Sequence, residues 1–247
     1  MIAQDLTLLL ILILVHLVAD FFMQTPSGVA EKAGLRYRSK FLYLHSAIHG
    51  TLSFIVLWIA LDNIPSILGM TALITLTHLI IDLGKSYTPE GRSSWYVLDQ
   101  ILHHSVIVFV WVYLTEQWAL AEATAQWLLS PKPLIILIAY ILTTRPIAFL
   151  IALAIGNWER EIDNSGSLAK AGARIGKLER FLILTFVLTD HFTAIGFLLV
   201  AKAILRFGDL REAHDRRLTD YVLVGTLISF TTTIILGLVT QKILSTL

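Results

Sequence analysis

Four otherwise apolar stretches of this chain each hold a pair of ionisable residues spaced by four: His16/Asp20, His45/His49, His78/Asp82 and Asp99/His103. That spacing places both members of a pair on one helix face, a turn apart. A charge or imidazole in hydrocarbon costs ~3 kcal/mol or more, so residues of this kind in apolar helices demand a shared purpose. Imidazole and carboxylate are also what divalent transition metals take when no thiolate is on offer. The chain has no cysteine, which excludes disulfides and leaves only nitrogen and oxygen donors. The chemistry predicted is a buried metal site whose ligands are His16, Asp20, His45, His49, His78, Asp82, Asp99 and His103.

Charge favours two divalent ions over one. Three carboxylates facing two such ions leave about one positive charge, which a hydroxide or an anionic substrate can cancel, whereas one ion leaves the aspartates undercompensated. Zinc, manganese and iron all suit the donor set. Asp20 or Asp99, if not a ligand, is placed to act as general base. Gln24 and Ser86 extend the two His–Asp stripes by a turn, as partners of the ligands or as interfacial polar residues. Gln100 follows Asp99, and His104 points ~100° away from His103, so both are expected to support ligands rather than to be ligands.

The elements that must position these donors are membrane helices. Charged residues make up 15% of the chain and hydrophobic ones 56%, with a mean hydropathy of +0.74. A soluble domain would carry roughly 25% charge. Apolar stretches approaching the ~20 residues that cross a bilayer are predicted at 6–22, 41–60, 64–83, 95–114, 134–155, 178–203 and 221–244. The fold class expected is all-α, a polytopic transmembrane bundle of about six or seven spans. Residues 1–115 would form a four-helix metal-binding core and 116–247 a C-terminal membrane region. The net charge of +1 carries no signal for nucleic acid. Lys32, Arg36, Arg38 and Lys40, and then Lys85 and Arg92, place the loops after the first and third spans in the cytoplasm. Thr189-Asp190-His191 interrupts the long apolar stretch, and the basic residues that follow favour a re-entrant hairpin over 178–207.

The first two spans resemble the next two. Leu14-Val15-His16-Leu17-Val18-Ala19-Asp20 aligns with Leu76-Thr77-His78-Leu79-Ile80-Ile81-Asp82, and the stretch with His45 and His49 aligns with that holding Asp99 and His103. A duplicated two-helix unit is expected, with repeats at about 1–61 and 62–115 facing the same way. Counted from the cytoplasmic helix ends, the donors fall in two layers, ~6 Å and ~12 Å deep. His16, His49, His78 and His103 form the deeper layer; Asp20, His45, Asp82 and Asp99 the shallower. An up-down bundle brings them together, as in di-metal carboxylate bundles.

Two features lie outside this core. Arg145-Pro146 interrupts the fifth span, and the arginine is expected either to pair with Asp190 or another acid or to bind the phosphate or carboxylate of a lipid-like substrate. Lys170, Arg174, Lys177 and Arg180 are expected at the interface, against anionic headgroups.

The patterns His16-x-x-x-Asp20-Phe-x-x-Gln24, Leu44-His45-x-x-x-His49, His78-x-x-x-Asp82 and Asp99-Gln100-x-x-His103 resemble the bacterial membrane family catalogued as domain of unknown function 3307. Gly176-Lys177-Leu178-Glu179-Arg180, Ala194-Ile195-Gly196-Phe197 and Ala201 to Phe207 resemble the C-terminal extension of many members. The resemblance implies a multi-pass protein of the bacterial inner membrane, sometimes encoded beside a cytosolic helix-turn-helix-type protein that is a candidate partner. It implies no established activity.

A site just below the headgroups, with metals that activate water, suits hydrolysis of a lipid-like or phosphorylated substrate. An ion- or proton-coupled transporter, or a metal transporter, is the first alternative, although carrier sites usually lie at the midplane. A membrane di-iron oxidase is the second, suggested by His45-x-x-x-His49 and His103-His104. A purely structural metal is a further one.

Overall fold

A computed structural model describes residues 2–89, 92–159, 166–212 and 216–247. Every regular element among them is a helix: α1 (Ile2–Phe22), α2 (Pro26–Leu35), a 3-10 turn at Arg36–Arg38, α3 (Lys40–Ala60), α4 (Ile64–Lys85), α5 (Ser93–Thr115), α6 (Trp118–Leu128), α7 (Pro131–Thr143), α8 (Arg145–Glu159), α9 (Gly166–Leu188), α10 (Phe192–Glu212) and α11 (Arg216–Leu244). Among the described residues, six segments are long and apolar enough to cross a membrane: one each in α1, α3, α4 and α5, the joint stretch Pro131–Ala154, and Leu223–Leu244. This is the pattern of a multi-pass membrane protein.

Local sequence starts the helices where they are needed. Ser39 caps α3 by accepting the Leu42 N–H at 3.2 Å, and Asn63 caps α4 by accepting that of Ser66 at 3.3 Å. Thr25 caps α2 through the Gly28 N–H at 3.1 Å, with Pro26 next, a residue whose missing N–H is no loss in a first turn. The segment 24–40, expected as a polar connection, is therefore mostly helix.

The chain divides into two compact units, Met1–Ala123 and Thr124–Leu247. The division falls inside α6 rather than at 115, because Ala121 still packs on the apolar core of the first unit. In that unit α1 lies against α3 and α5, and α4 against the same two, so four helices close a ring. One end of the ring is filled by Leu8, Leu12, Leu57, Ile67, Ile107 and Trp111. Full burial of each such side chain contributes about 1.5–3 kcal/mol. Helices α1 and α4 finish, and α3 and α5 begin, at the opposite end, where all the ionisable pairs stand.

In the second unit α11 packs on α7, α8 and α9. The expected break at Arg145-Pro146 separates α7 from α8, and it exposes carbonyls that need donors. Arg180 supplies them: its Nε donates to the Thr143 carbonyl at 2.6 Å and its Nη2 to that of Thr144 at 3.2 Å. Arg180 is thus buried, in contrast to the interfacial position expected for it, while Arg174 and Lys177 are exposed. The side chain of Lys170 lies outside the described ones.

Helices α9 and α10 are joined at Thr189–His191, where Asp190 takes a left-handed φ of 59°. Glu179 and Lys202, about equally far from this turn on either arm, pair at 2.6 Å, so the two helices run antiparallel. Asp190 accepts from Gln241 Nε2 at 2.7 Å. Arg145 is exposed and has no acidic partner among the described residues, which sets aside its expected pairing with Asp190.

Candidate metal centre

Each ionisable pair sits within about three turns of a helix end. His16 and Asp20 lie near the end of α1, and His78 and Asp82 near the end of α4. His45 and His49 lie near the start of α3, and Asp99 and His103 near the start of α5. Because the four helices form a ring, the pairs face inward at one level. All of these side chains are buried except Asp20, which is partly covered.

The four histidines expected in the deeper layer form a closed circuit. Ring centroids are 4.9 Å apart for His16–His49, 3.6 Å for His49–His78, 4.1 Å for His78–His103 and 5.2 Å for His103–His16. His45 stands above them, 4.7 Å from His49 and stacked on Phe41. Two glycine positions show how tight the frame is. A Cβ on Gly50 would collide with the Thr75 hydroxyl between α3 and α4, and one on Gly28 with the ring of Phe41 between α2 and α3.

The donors form three overlapping groups, each with its ligand atoms within 4.8 Å of one another: His16, Asp20, His49 and His78; His45, His78 and Asp82; and Asp82, Asp99 and His103. A tetrahedral ion with bonds of ~2.1 Å wants donors ~3.4 Å apart, so a small contraction suffices. Every one of the expected ligands belongs to at least one group.

The two ends of the cage differ in what surrounds the carboxylates. Asp20 Oδ1 accepts from His45 Nε2 at 3.1 Å and His49 Nε2 at 3.0 Å, and Oδ2 accepts from Gln100 Nε2 at 2.8 Å. Asp82 instead receives the Lys32 ammonium at 2.6 Å, and Asp99 that of Lys85, also at 2.6 Å. Within the cage, His16 Nε2, His78 Nε2, His103 Nε2, His45 Nδ1 and Asp99 Oδ1 are buried without a hydrogen-bond partner. An orphaned buried polar atom costs about 1–3 kcal/mol, and several converging on one space fit a cation that they would bind.

Of the residues expected to support the ligands, two touch the cage. Gln100 bonds Asp20, and His104 packs edge-on against His16 at 5.2 Å while its Nδ1 bonds the Gln100 carbonyl at 2.7 Å. Ser86 closes the end of α4, its hydroxyl donating to the Leu83 carbonyl at 2.7 Å. Gln24 is half-buried and makes no described contact with the cage. Arg145 belongs to the second unit.

Lys32 and Lys85 were read from sequence only as loop charges that set topology. The charge count behind the two-ion expectation leaves these groups out, and both ammonium groups lie against aspartates. Lys32 reaches Asp82 because α2 is fixed across the start of α3. Glu31 accepts from the Ser39 hydroxyl at 2.8 Å and the Phe41 N–H at 3.1 Å, and those bonds hold its carboxyl below the usual carboxylate range. The signals were present: Thr25-Pro26 marks a helix start, and Lys85 follows Asp82 by three residues on the same stripe.

No curated protein and no solved structure matches the chain. Residues 8–130, which contain every donor of the cage and both lysines, match the sequence profile of the family described as protein of unknown function (DUF3307), and it is this family that the chain resembles.

Proposed function

We propose that the chain is a membrane-embedded, metal-dependent hydrolase acting on a lipid-like or phosphorylated substrate. The observation that carries this is the cage itself: buried imidazoles and carboxylates from four helices converge, and several of their donor atoms lack partners. No packing role explains unpaired polar atoms at the end of an apolar bundle, whereas a bound cation does.

His16, Asp20, His45, His49, His78, Asp82, Asp99 and His103 would hold the metal, with zinc, manganese and iron all compatible. A bound ion of this kind lowers the pKa of water and polarises a scissile oxygen. The protein's own groups then divide the remaining work. Where Asp99 is not taken up as a ligand, its Oδ1, which has no hydrogen-bond partner, is better placed to accept a proton than Asp20, both of whose oxygens are engaged. Gln100 orients Asp20. The cage lies at one end of the bundle, and the basic residues of 32–40 with Lys85 and Arg92 support a cytoplasmic position for that end, near lipid headgroups. The matching residue patterns of α1/α3 and α4/α5 fit a duplicated two-helix origin, and a bacterial inner membrane fits the family resemblance.

Elemental analysis of detergent-purified protein tests the metal, with His49→Ala as control. The expected result is a bound transition ion in the wild type that the variant loses. Lipid-phosphatase and esterase screens then test the reaction. A second reading, a cation carrier, is favoured by Lys32 and Lys85, since an ammonium already seated on a carboxylate can exchange with a travelling cation. Metal flux into proteoliposomes, with no hydrolysis in the screens, selects that reading.

A further inference from the structure

We propose that the cage takes one tightly held divalent transition ion, on His16, Asp20, His49 and His78, and that Lys32 and Lys85 occupy the other half as built-in cations. This rests on the reading of the cage as a metal site and fixes its stoichiometry and place.

The carboxylates fall into two classes. Asp20 is bonded by His45, His49 and Gln100 and, unlike the other two aspartates, has no lysine against it among the described residues, so it is the carboxylate whose charge awaits a cation. Its group also holds two buried imidazoles, 4% and 2% exposed, whose Nε2 atoms have no partner: His16 and His78. Two imidazoles with free nitrogens, a third in His49 and one carboxylate make a four-donor set of the kind zinc takes. Asp82 and Asp99, by contrast, each accept a lysine ammonium at 2.6 Å.

Electrostatics makes the two halves unequal. One divalent ion beside Asp20, with the lysines in place, leaves the cage about one charge positive. A second ion added to the same arrangement would leave it about three charges positive in an apolar bundle, beside two carboxylates that each already carry an ammonium. The second place therefore opens only when the lysines leave.

Lys32 is placed by construction. Its helix is capped by Thr25, tied to α3 through Glu31, and seated against Phe41 at Gly28, where a Cβ has no room. The ammonium of Lys32 reaches the cage although 24–40 lies outside the spans. Lys85 reaches its aspartate from the last turn of α4 and is more open to solvent, its side chain 39% exposed.

The test is metal content of the purified full-length chain after equilibration with excess Mn2+ or Zn2+ and removal of free ion. The expected values are one ion per chain for the wild type and a rise towards two for K32Q/K85Q, so that removing positive charge adds metal. Asp20→Asn should fall below a tenth of an ion, whereas Asp82→Asn should keep its ion. Two ions in the wild type, or one still in a folded K32Q/K85Q, overturns the proposal. Should the double lysine variant not fold, the aspartate pair decides alone: equal loss in Asp20→Asn and Asp82→Asn, or the reverse order, overturns it. A wild type with no ion overturns the metal reading itself, an outcome distinct from a wrong count.

Discussion

Both units bury polar and charged side chains in apolar helices, yet they treat them differently. In the second unit the buried charges are paired, Arg180 with the carbonyls of Thr143 and Thr144 and Glu179 with Lys202, and the half-buried Tyr140 hydroxyl meets that of Thr185 at 2.7 Å, while the buried Ser229 hydroxyl stands alone without a partner. In the first unit His16, His78 and His103 each leave a buried nitrogen unpaired. Sequence composition presents the two alike. The difference teaches that satisfied polar groups repair a helix break or clasp a hairpin, whereas several unsatisfied ones that converge on one space, unlike the lone hydroxyls of Thr71 and Ser229, mark a place for a ligand.

The largest expected effect breaks the comparison at His78, which is stacked between His49 and His103. His78→Leu removes an orphaned nitrogen, so the metal-free protein should melt at the same temperature or higher. The wild type, in ~100 Kd of Zn2+, should gain about 2.7 kcal/mol of stability that the variant lacks. Melting curves with and without the ion check both halves. A variant that is destabilised without metal and still stabilised by it would mean that the histidines are packing residues.

In the second unit the sign reverses. Arg180→Ala leaves two backbone carbonyls without their charged donor, at a cost of about 2.5 kcal/mol, and should leave metal content untouched. Denaturant unfolding paired with elemental analysis reads both. Next in size is Lys202→Met, which leaves the buried Glu179 without its cation. Breaking a fully buried pair costs about 3–5 kcal/mol, and here the lysine is partly exposed, so about 2 kcal/mol is expected. Adding Glu179→Gln should recover most of that loss.

How much of this was legible depended on whether the signal was local. The converging His and Asp residues could be read because spacing by four is a property of each helix alone, and the four pairs stand at the same level. The break at Pro146 and the turn at Asp190 were legible for the same reason. The partners were not. Lys32 lies in a segment with loop-like composition, and its pairing with Asp82, fifty residues away, depends on how α2 crosses α3. Arg180 sits among interfacial-looking basic residues and is drawn inward by carbonyls that only the folded break exposes. Sequence shows which residues are anomalous, and tertiary contact decides which are satisfied.

The smallest effect sharpens the comparison inside the cage. Gly50 follows His49 on α3 and faces Thr75 on α4, one turn before His78. Gly50→Ala puts a methyl into the Thr75 hydroxyl, which is tethered to the Thr71 carbonyl at 2.8 Å, so the helices must part slightly or the threonine must turn. Overpacking of this kind costs about 1 kcal/mol, and it acts where the imidazoles of His49 and His78 lie 3.6 Å apart. Metal affinity should fall severalfold while helix content stays constant. Thr75→Ala in the same chain clears the space, and both stability and affinity should return. If affinity stays low in the double variant, the separation of α3 and α4 is not what sets the geometry of the cage. If stability falls and affinity does not, His49 and His78 tolerate a wider gap than a shared ion allows.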